Sequence, residues 1–231
     1  MSASEAAKFL AEAWETGHSL APFPDDLSPA DNAAGEAMAA ELVEALNLPV
    51  CGVRLAPGPD GLTLLSAPLL EARMLRVGTP IALAALRHAR ISAGILGVLA
   101  EPLERDLPVF SAFHPVLDIA ASRYTSASMD APHQIADLGS LGFVLVGKRW
   151  IGELPEESEA RLGLTGGRPR PLRAPLAALM RQAGAEAIRW GGLPAGAVLV
   201  VAGLATGSPP VAGQKWAAAI PPVGRISALL G

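Results

Sequence analysis

A carboxylate inside an apolar segment is the first candidate for chemistry in this sequence. Asp118 lies within the run 116–121, which is otherwise apolar and is predicted to form a short strand. A buried carboxylate requires a partner, because taking an unpaired charge out of water is costly. Asp118 can therefore be a metal ligand or a base, or it can be a structural carboxylate in an ion pair. The residue types leave both interpretations open.

Arg54 and Arg123 are the cationic candidates. A guanidinium group matches a carboxylate through two parallel hydrogen bonds, so either arginine can bind the carboxylate of a substrate. The alternative is an internal salt bridge in which Arg54 or Arg123 pairs with Asp118.

Histidines offer a second kind of chemistry. His114 and Asp118 are four residues apart, and residues at this spacing share one face of a strand, so the two can join one metal site. The alternative for His114 is a side chain held by hydrogen bonds near the surface. His133 follows Pro132 in a predicted lid loop and is a candidate general acid or base.

Composition limits the class of protein. The chain has 231 residues, 51% of them hydrophobic and 17% charged, with a net charge of -4, which excludes intrinsic disorder. An acidic balance argues against nucleic acid or an anionic membrane as the main partner. The single cysteine, Cys51, excludes an internal disulfide framework and a cysteine zinc cluster, and it favours the cytoplasm. The longest uncharged stretch, 190–214, contains glycines and prolines that would break a membrane-spanning helix.

The spacing of apolar residues predicts an α+β fold. It consists of a helical N-terminal segment, 1–48, and a mostly β body, 49–231. We expect the body to form one structural unit. The second helix is predicted to begin at Ser28, where a capping hydroxyl precedes a proline. The segment 153–173 is predicted to be a surface loop, followed by a late helix over 174–183. Predicted strands cover 50–55, 62–65, 91–99, 116–121, 141–146, 198–202, 215–220 and 225–230.

Several segments carry a family resemblance through their order along the chain. They are 28–31 (SPAD), 113–123 (FHPVLDIAASR), 135–147 (IADLGSLGFVLVG), 193–203 (LPAGAVLVVAG) and the closing 211–215 (VAGQK). Together they resemble the 2-keto-4-pentenoate hydratase and 4-oxalocrotonate decarboxylase family of the fumarylacetoacetate hydrolase superfamily. The resemblance implies a mixed β-roll fold and a homo-oligomer.

The resemblance also implies a divalent metal, magnesium or manganese. In the family the metal holds a 2-keto acid and stabilises the enol that forms when a proton moves next to the carbonyl. Its ligands are an E-x-E pair on one strand and an acidic residue on a later strand. Here the pair corresponds to Ser92 and Gly94, and Asp118 remains as the third ligand. One carboxylate binds magnesium weakly, so we expect a weak or absent metal site. Replacing both Ser92 and Gly94 by glutamate is expected to raise the affinity for metal.

Other positions also depart from the family pattern. Arg54 stands where the family has a lysine, which keeps the charge but cannot donate a proton near neutral pH. Asp137 and Ser140 correspond to a turn that faces the site in the family, although a purely structural turn is the alternative. Ser92 is expected to face the pocket in place of a metal ligand.

Two functions follow from these expectations. The first is a lyase of the hydratase type that acts on a small 2-keto or enol acid by proton transfer. It would use Asp118, Arg54 and His133 as catalytic residues and Arg123, Ser92, Asp137 and Ser140 to bind substrate. The second is a noncatalytic relative that binds a small carboxylic acid or assembles with an active paralogue.

Overall fold

The centre of the molecule is a mixed seven-stranded sheet in the order β2-β1-β9-β4-β5-β6-β3. The structure is a computed structural model that describes residues 3–231. Its helices are α1 (Ala3–Thr16), α2 (Asn32–Leu46), α3 (Ala131–Ala136) and α4 (Leu176–Arg189). Its strands are β1 (Val50–Pro57), β2 (Leu64–Leu70), β3 (Met74–Arg76), β4 (Arg90–Leu99), β5 (Phe110–Ala120), β6 (Leu141–Val146), β7 (Ser158–Leu164), β8 (Leu172–Ala174), β9 (Val198–Thr206), β10 (Lys215–Ile220) and β11 (Gly224–Leu229).

Strand β4 occupies the middle of this sheet and is almost wholly buried, since packed layers cover both of its faces. It pairs antiparallel with both β5 and β9, while β1 runs parallel to β9. A strand buried on both faces is expected to be almost continuously apolar, which explains the composition of the run from Ile91 to Leu99. Ser92 is the one polar residue in that run, so its position already marks an exception that packing must accommodate.

The two faces of the sheet carry separate cores. On one face, α1 and α2 bury Leu10 and Leu42 against Val200 of β9. On the other, Ile95 of β4 packs in one cluster with Trp216, which belongs to a second, four-stranded sheet in the order β11-β10-β7-β8. Removing these apolar side chains from water is the main stabilising contribution, at about 1.5–3 kcal/mol for each large one. The α+β prediction is confirmed.

Helix α2 begins later than predicted, at Asn32. The side chain of Asp31 accepts a hydrogen bond from the backbone N–H of Ala34 at 2.8 Å and so provides the N-cap. The hydroxyl of Ser28 instead donates a hydrogen bond to the carbonyl of Phe23. This bond closes the turn that precedes the helix.

The prediction of a surface loop over 153–173 is wrong for part of this segment, because the segment contains β7 and the start of β8. The charged residues of β7 alternate with buried Ala160 and Leu162, and the strand pairs antiparallel with β10. The sequence of β7 therefore does contain the alternation of buried and exposed residues that is typical of a strand. The charged residues and glycines on either side led to its interpretation as a loop. Helix α4 also continues past its predicted end at residue 183, and Gly184 there leaves room for the ring of Pro108.

Candidate functional site

Four predicted site residues line one cavity of about 480 Å³. They are Arg54, Ser92, Asp118 and Ser140. Strand pairing explains part of this convergence, since Ser92 of β4 lies directly opposite Asp118 of β5. Arg54 comes from β1, three strands away from β5 in the sheet order.

A buried ion pair forms the wall of the cavity. Arg54 donates from Nε to Oδ1 of Asp118 at 2.6 Å and from Nη2 to Oδ2 at 2.7 Å. The two side chains are 1% and 2% exposed. Both carboxylate oxygens thus accept charge-assisted hydrogen bonds, which are about twice as strong as neutral ones. Of the sequence-based alternatives, the salt bridge between Arg54 and Asp118 is the one observed.

Ser92 completes the polar contacts around this pair. Its hydroxyl accepts a hydrogen bond from the backbone N–H of Gly203 at 3.0 Å and lies 3.5 Å from Oδ2 of Asp118. It therefore ties β4 to β9 and also lies at the edge of the carboxylate.

A tight left-handed turn positions the next part of the site. Leu138, Gly139 and Ser140 have φ values of 50°, 65° and 54°. A left-handed backbone is unfavourable for non-glycine residues, and strain of this kind persists where the surroundings enforce it. The turn directs the carbonyl of Gly139 toward Nη1 of Arg54 at 2.9 Å and places Ser140 in the cavity lining.

Arg123 and Asp137 do not reach this cavity, because they pair with each other. Nε of Arg123 donates to Oδ1 of Asp137 at 2.6 Å, and its backbone N–H donates to Oδ2 at 3.0 Å. The indole N–H of Trp14 donates to Oδ1 at 3.1 Å. Burial raises the pKa of the Asp137 carboxyl, while the guanidinium of Arg123 and these hydrogen bonds act in the opposite direction.

The two candidate histidines are also held away from the cavity lining. His133 lies in helix α3, not in a lid loop, and its Nδ1 contacts Oδ1 of Asp130 at 2.5 Å. His114 contacts the carbonyl of Gly147 at 3.0 Å through Nδ1. Four residues of strand span about 13 Å, so sharing a face with Asp118 does not bring the imidazole to the carboxylate. The thiol of Cys51 is no better suited to chemistry, because burial raises its pKa to about 11.

Two cavity residues were missed from the sequence, Arg90 and His88. Arg90 is exposed, and among residues 3–231 it has no carboxylate partner within 4.0 Å. His88 has a left-handed backbone, and its Nε2 contacts the carbonyl of Thr125 at 2.9 Å. The signal for Arg90 was its place two residues before Ser92, since alternation puts both on one face of the strand.

The residues of the site do not fit a divalent metal. Magnesium requires close to six oxygen ligands, whereas Asp118 is the one carboxylate of the cavity lining and Arg54 already engages both its oxygens. Within residues 3–231, no group of three or more His, Cys, Asp or Glu side chains is placed to hold a metal ion.

Gly94 also prevents a simple return to a metal site. A Cβ atom at this position would lie 2.5 Å from the carbonyl oxygen of Val201 and 2.9 Å from the side chain of Val116. The register of β9 against β4 skips residues 202–204 opposite Gly94, so a bulge fills the space that a side chain would need. This geometry argues against the expectation that glutamates at 92 and 94 would raise metal affinity, because the second one requires β9 to move.

Comparisons with known proteins identify the fold. No protein-family model matches the sequence, and no curated protein matches it significantly. Solved structures do match, and they define the fumarylacetoacetate hydrolase type of fold, as the sequence predicted.

One structure that matches over nearly the whole chain is 4-oxalocrotonate decarboxylase from Pseudomonas putida G7, complexed with magnesium and adipate. It has a TM-score of 0.81 at 16% identity, and the match covers 99% of this chain and 97% of that one. Partial matches include 2-hydroxyhepta-2,4-diene-1,7-dioate isomerase from Mycobacterium marinum (TM-score 0.56, 15% identity, 79% and 76% covered). Fumarylpyruvate hydrolase from Pseudomonas aeruginosa, in complex with Mn²⁺ and pyruvate, matches with a TM-score of 0.54 at 12% identity, covering 80% and 91%.

Within residues 3–231, no helix is long and apolar enough to cross a membrane.

Proposed function

We propose that the protein is a divergent relative of the hydratase and decarboxylase family that binds a small 2-keto or enol acid without a metal. The observation that carries the proposal is the charge of the cavity. Its one carboxylate, Asp118, is neutralised by Arg54, and Arg90 is left as an unpaired cation of the lining. A cavity with this balance favours an anionic ligand.

The size and the polar groups of the cavity agree with a small acid. Its volume of about 480 Å³ lies within the range of small-molecule sites. A guanidinium at position 90 matches a carboxylate, and the hydroxyls of Ser92 and Ser140 supply hydrogen-bonding groups for a keto or enol oxygen. Two of the solved structures with this fold hold a small carboxylic acid beside a metal ion, adipate with magnesium in one and pyruvate with Mn²⁺ in the other.

The proposal favours binding over catalysis, because neither of the predicted catalytic bases, Asp118 and His133, is free in the cavity. Asp118 is held by two hydrogen bonds from Arg54, and His133 is turned away toward Asp130. A general base must be within hydrogen-bonding reach of the proton that it removes. A hydratase-like enzyme is the second candidate, supported by the likeness to a decarboxylase over 99% of the chain.

Calorimetric titration with pyruvate and oxalate in the presence of EDTA tests the first proposal. We expect binding that EDTA does not weaken, and a loss of affinity of about tenfold or more in Arg90→Gln. Arg87→Gln is the matched control, since Arg87 is exposed on the same segment but does not line the cavity. Binding that requires added magnesium, or equal losses in both variants, would contradict the proposal.

Proton exchange separates the two candidates. The protein is incubated with pyruvate in deuterium oxide, and the methyl signal is followed by NMR. A binding protein leaves the exchange at the rate of the blank. Acceleration that disappears in Asp118→Asn would instead support the enzyme.

Assembly as a homo-oligomer or with an active paralogue is a further proposal, which light scattering of the purified protein tests.

A further inference from the structure

A second cavity lies on the outer face of the four-stranded sheet, outside the site described above. Its volume is about 590 Å³, within the range of small-molecule sites. Three arginines line it, Arg161 on β7, Arg225 on β11 and Arg168 in the loop between β7 and β8, and no acidic residue does.

Strand register places two of these arginines face to face across one alanine. Ala219 of β10 pairs with Arg161 on one side and with Arg225 on the other. Both arginines are exposed while Ile220 and Ala218 point into the core, so both arginines leave the sheet on the outer face. Their Cα atoms are two strands apart, which corresponds to about 10 Å, and their long side chains can reach one ligand above Ala219.

The floor between the arginines is left open by small residues. The next row of the sheet consists of Gly163, Ala217 and Ser227. The loop after β7 closes one side, because Pro169 packs on Gly163 so closely that a Cβ there would lie 3.1 Å away. The cavity therefore combines a shallow floor with a cationic rim.

The charge at this rim is only partly neutralised by the residues that the structure describes. Arg161 contacts Glu159 at 2.8 Å in an exposed pair, which contributes little. Within residues 3–231, Arg168 and Arg225 have no carboxylate within 4.0 Å. Like charges gathered on one face of a sheet are unfavourable. This concentration occurs in a protein whose net charge is -4.

We propose that this cavity binds a small polyanion, a compound with two or more phosphate or carboxylate groups. The planar guanidinium forms bidentate hydrogen bonds with both kinds of group. An anion with two charged groups would engage Arg161 and Arg225 together, and Arg168 would approach it from the loop. No aromatic side chain lines the cavity for stacking, so recognition rests on charge and on shape.

Titration of the whole protein with inorganic pyrophosphate, citrate and orthophosphate at constant ionic strength tests this assignment. We expect pyrophosphate or citrate to bind with a Kd below about 1 mM, and orthophosphate about tenfold more weakly, since one anionic group cannot satisfy both arginines. The double variant Arg161→Gln and Arg225→Gln should lose at least about tenfold in affinity. Arg173→Gln on neighbouring β8 is the matched control, because Arg173 is exposed but does not line the cavity.

Four results would overturn the assignment. The first is no binding of either polyanion up to about 10 mM. The second is an equal loss of affinity in Arg173→Gln. The third is self-association, measured by light scattering, that the double variant abolishes, because the arginines would then belong to an interface between copies of the chain. Retention of binding in Arg90→Gln would support a location separate from the first cavity, and its loss would place the polyanion there instead.

Discussion

Two buried arginine–aspartate pairs in this molecule have nearly the same chemistry but different surroundings. In the pair of Arg123 and Asp137, the carboxylate is fully buried and accepts hydrogen bonds from Arg123 and from Trp14. The guanidinium of Arg123 also donates to the carbonyl of Leu141 at 2.7 Å, and its Cζ lies 3.9 Å from the centroid of the Trp14 ring. This pair connects helix α1 to the segment before β6.

The pair of Arg54 and Asp118 faces a cavity instead. It is as well bonded internally, but it borders the cavity that Ser92 and Ser140 also line. The comparison shows that neither burial nor ion pairing identifies a functional residue by itself. What differs is whether the pair borders a space that another molecule can occupy, and each of the following experiments addresses that difference.

The largest effect is expected for Asp137→Ala. It leaves the charge of Arg123 buried without a partner, and removing one member of a buried pair costs about 3–5 kcal/mol. We expect about 5 kcal/mol, at the upper end, measured as the change in the free energy of unfolding in urea. Glu159→Gln, which breaks the exposed pair with Arg161, should cost less than about 1 kcal/mol. Similar losses in both would mean that the Arg123 pair is not structural.

A smaller loss is expected for Asp118→Ala, about 3 kcal/mol, because water from the cavity can solvate Arg54. The variant should also show chemical rescue. Acetate can enter the cavity and replace the missing carboxylate, so sodium acetate should raise the melting temperature of Asp118→Ala more than sodium chloride does. Asp137→Ala should gain nothing from acetate. Rescue of both variants, or of neither, would remove the distinction between the two pairs.

Gly94→Ala tests the packing next to the Arg54 pair. The added methyl group meets the carbonyl of Val201, and overpacking of this kind costs about 1–3 kcal/mol. The comparison variant is Gly61→Ala, where a Cβ meets no atom within 4 Å but φ is 70°, so its cost of about 1 kcal/mol comes from the backbone alone. A neutral Gly94→Ala would show that β9 yields easily at this position.

The smallest effect is expected for added metal. Magnesium or manganese at about 5 mM should leave the melting temperature unchanged, because ligands stabilise a protein only by as much as they bind it. The same salts should not displace pyruvate from the cavity. A rise of several degrees with either metal would contradict the metal-independent site.

The sequence predicted the fold better than the site. Apolar periodicity and the ordered resemblance were sufficient for the α+β class and the fold type, since burial of regular faces decides both. Asp118 and Arg54 were singled out as site candidates, but whether they pair with each other or with a ligand depends on contacts between strands far apart in the chain. The lack of space for a side chain at Gly94 could not be predicted from the sequence, because it depends on a bulge in β9. Arg90 was overlooked because the resemblance assigned it no role.

The place of β9 in the sheet has a consequence for how the protein is made. This strand, formed by residues 198–206, inserts between β1 and β4, whose sequences leave the ribosome much earlier. Until then both strands have an unpaired edge, and such edges are prone to join other chains. Residues 198–206 must therefore be translated before the central sheet can close. Interruptions late in synthesis should for this reason produce insoluble fragments instead of folded ones.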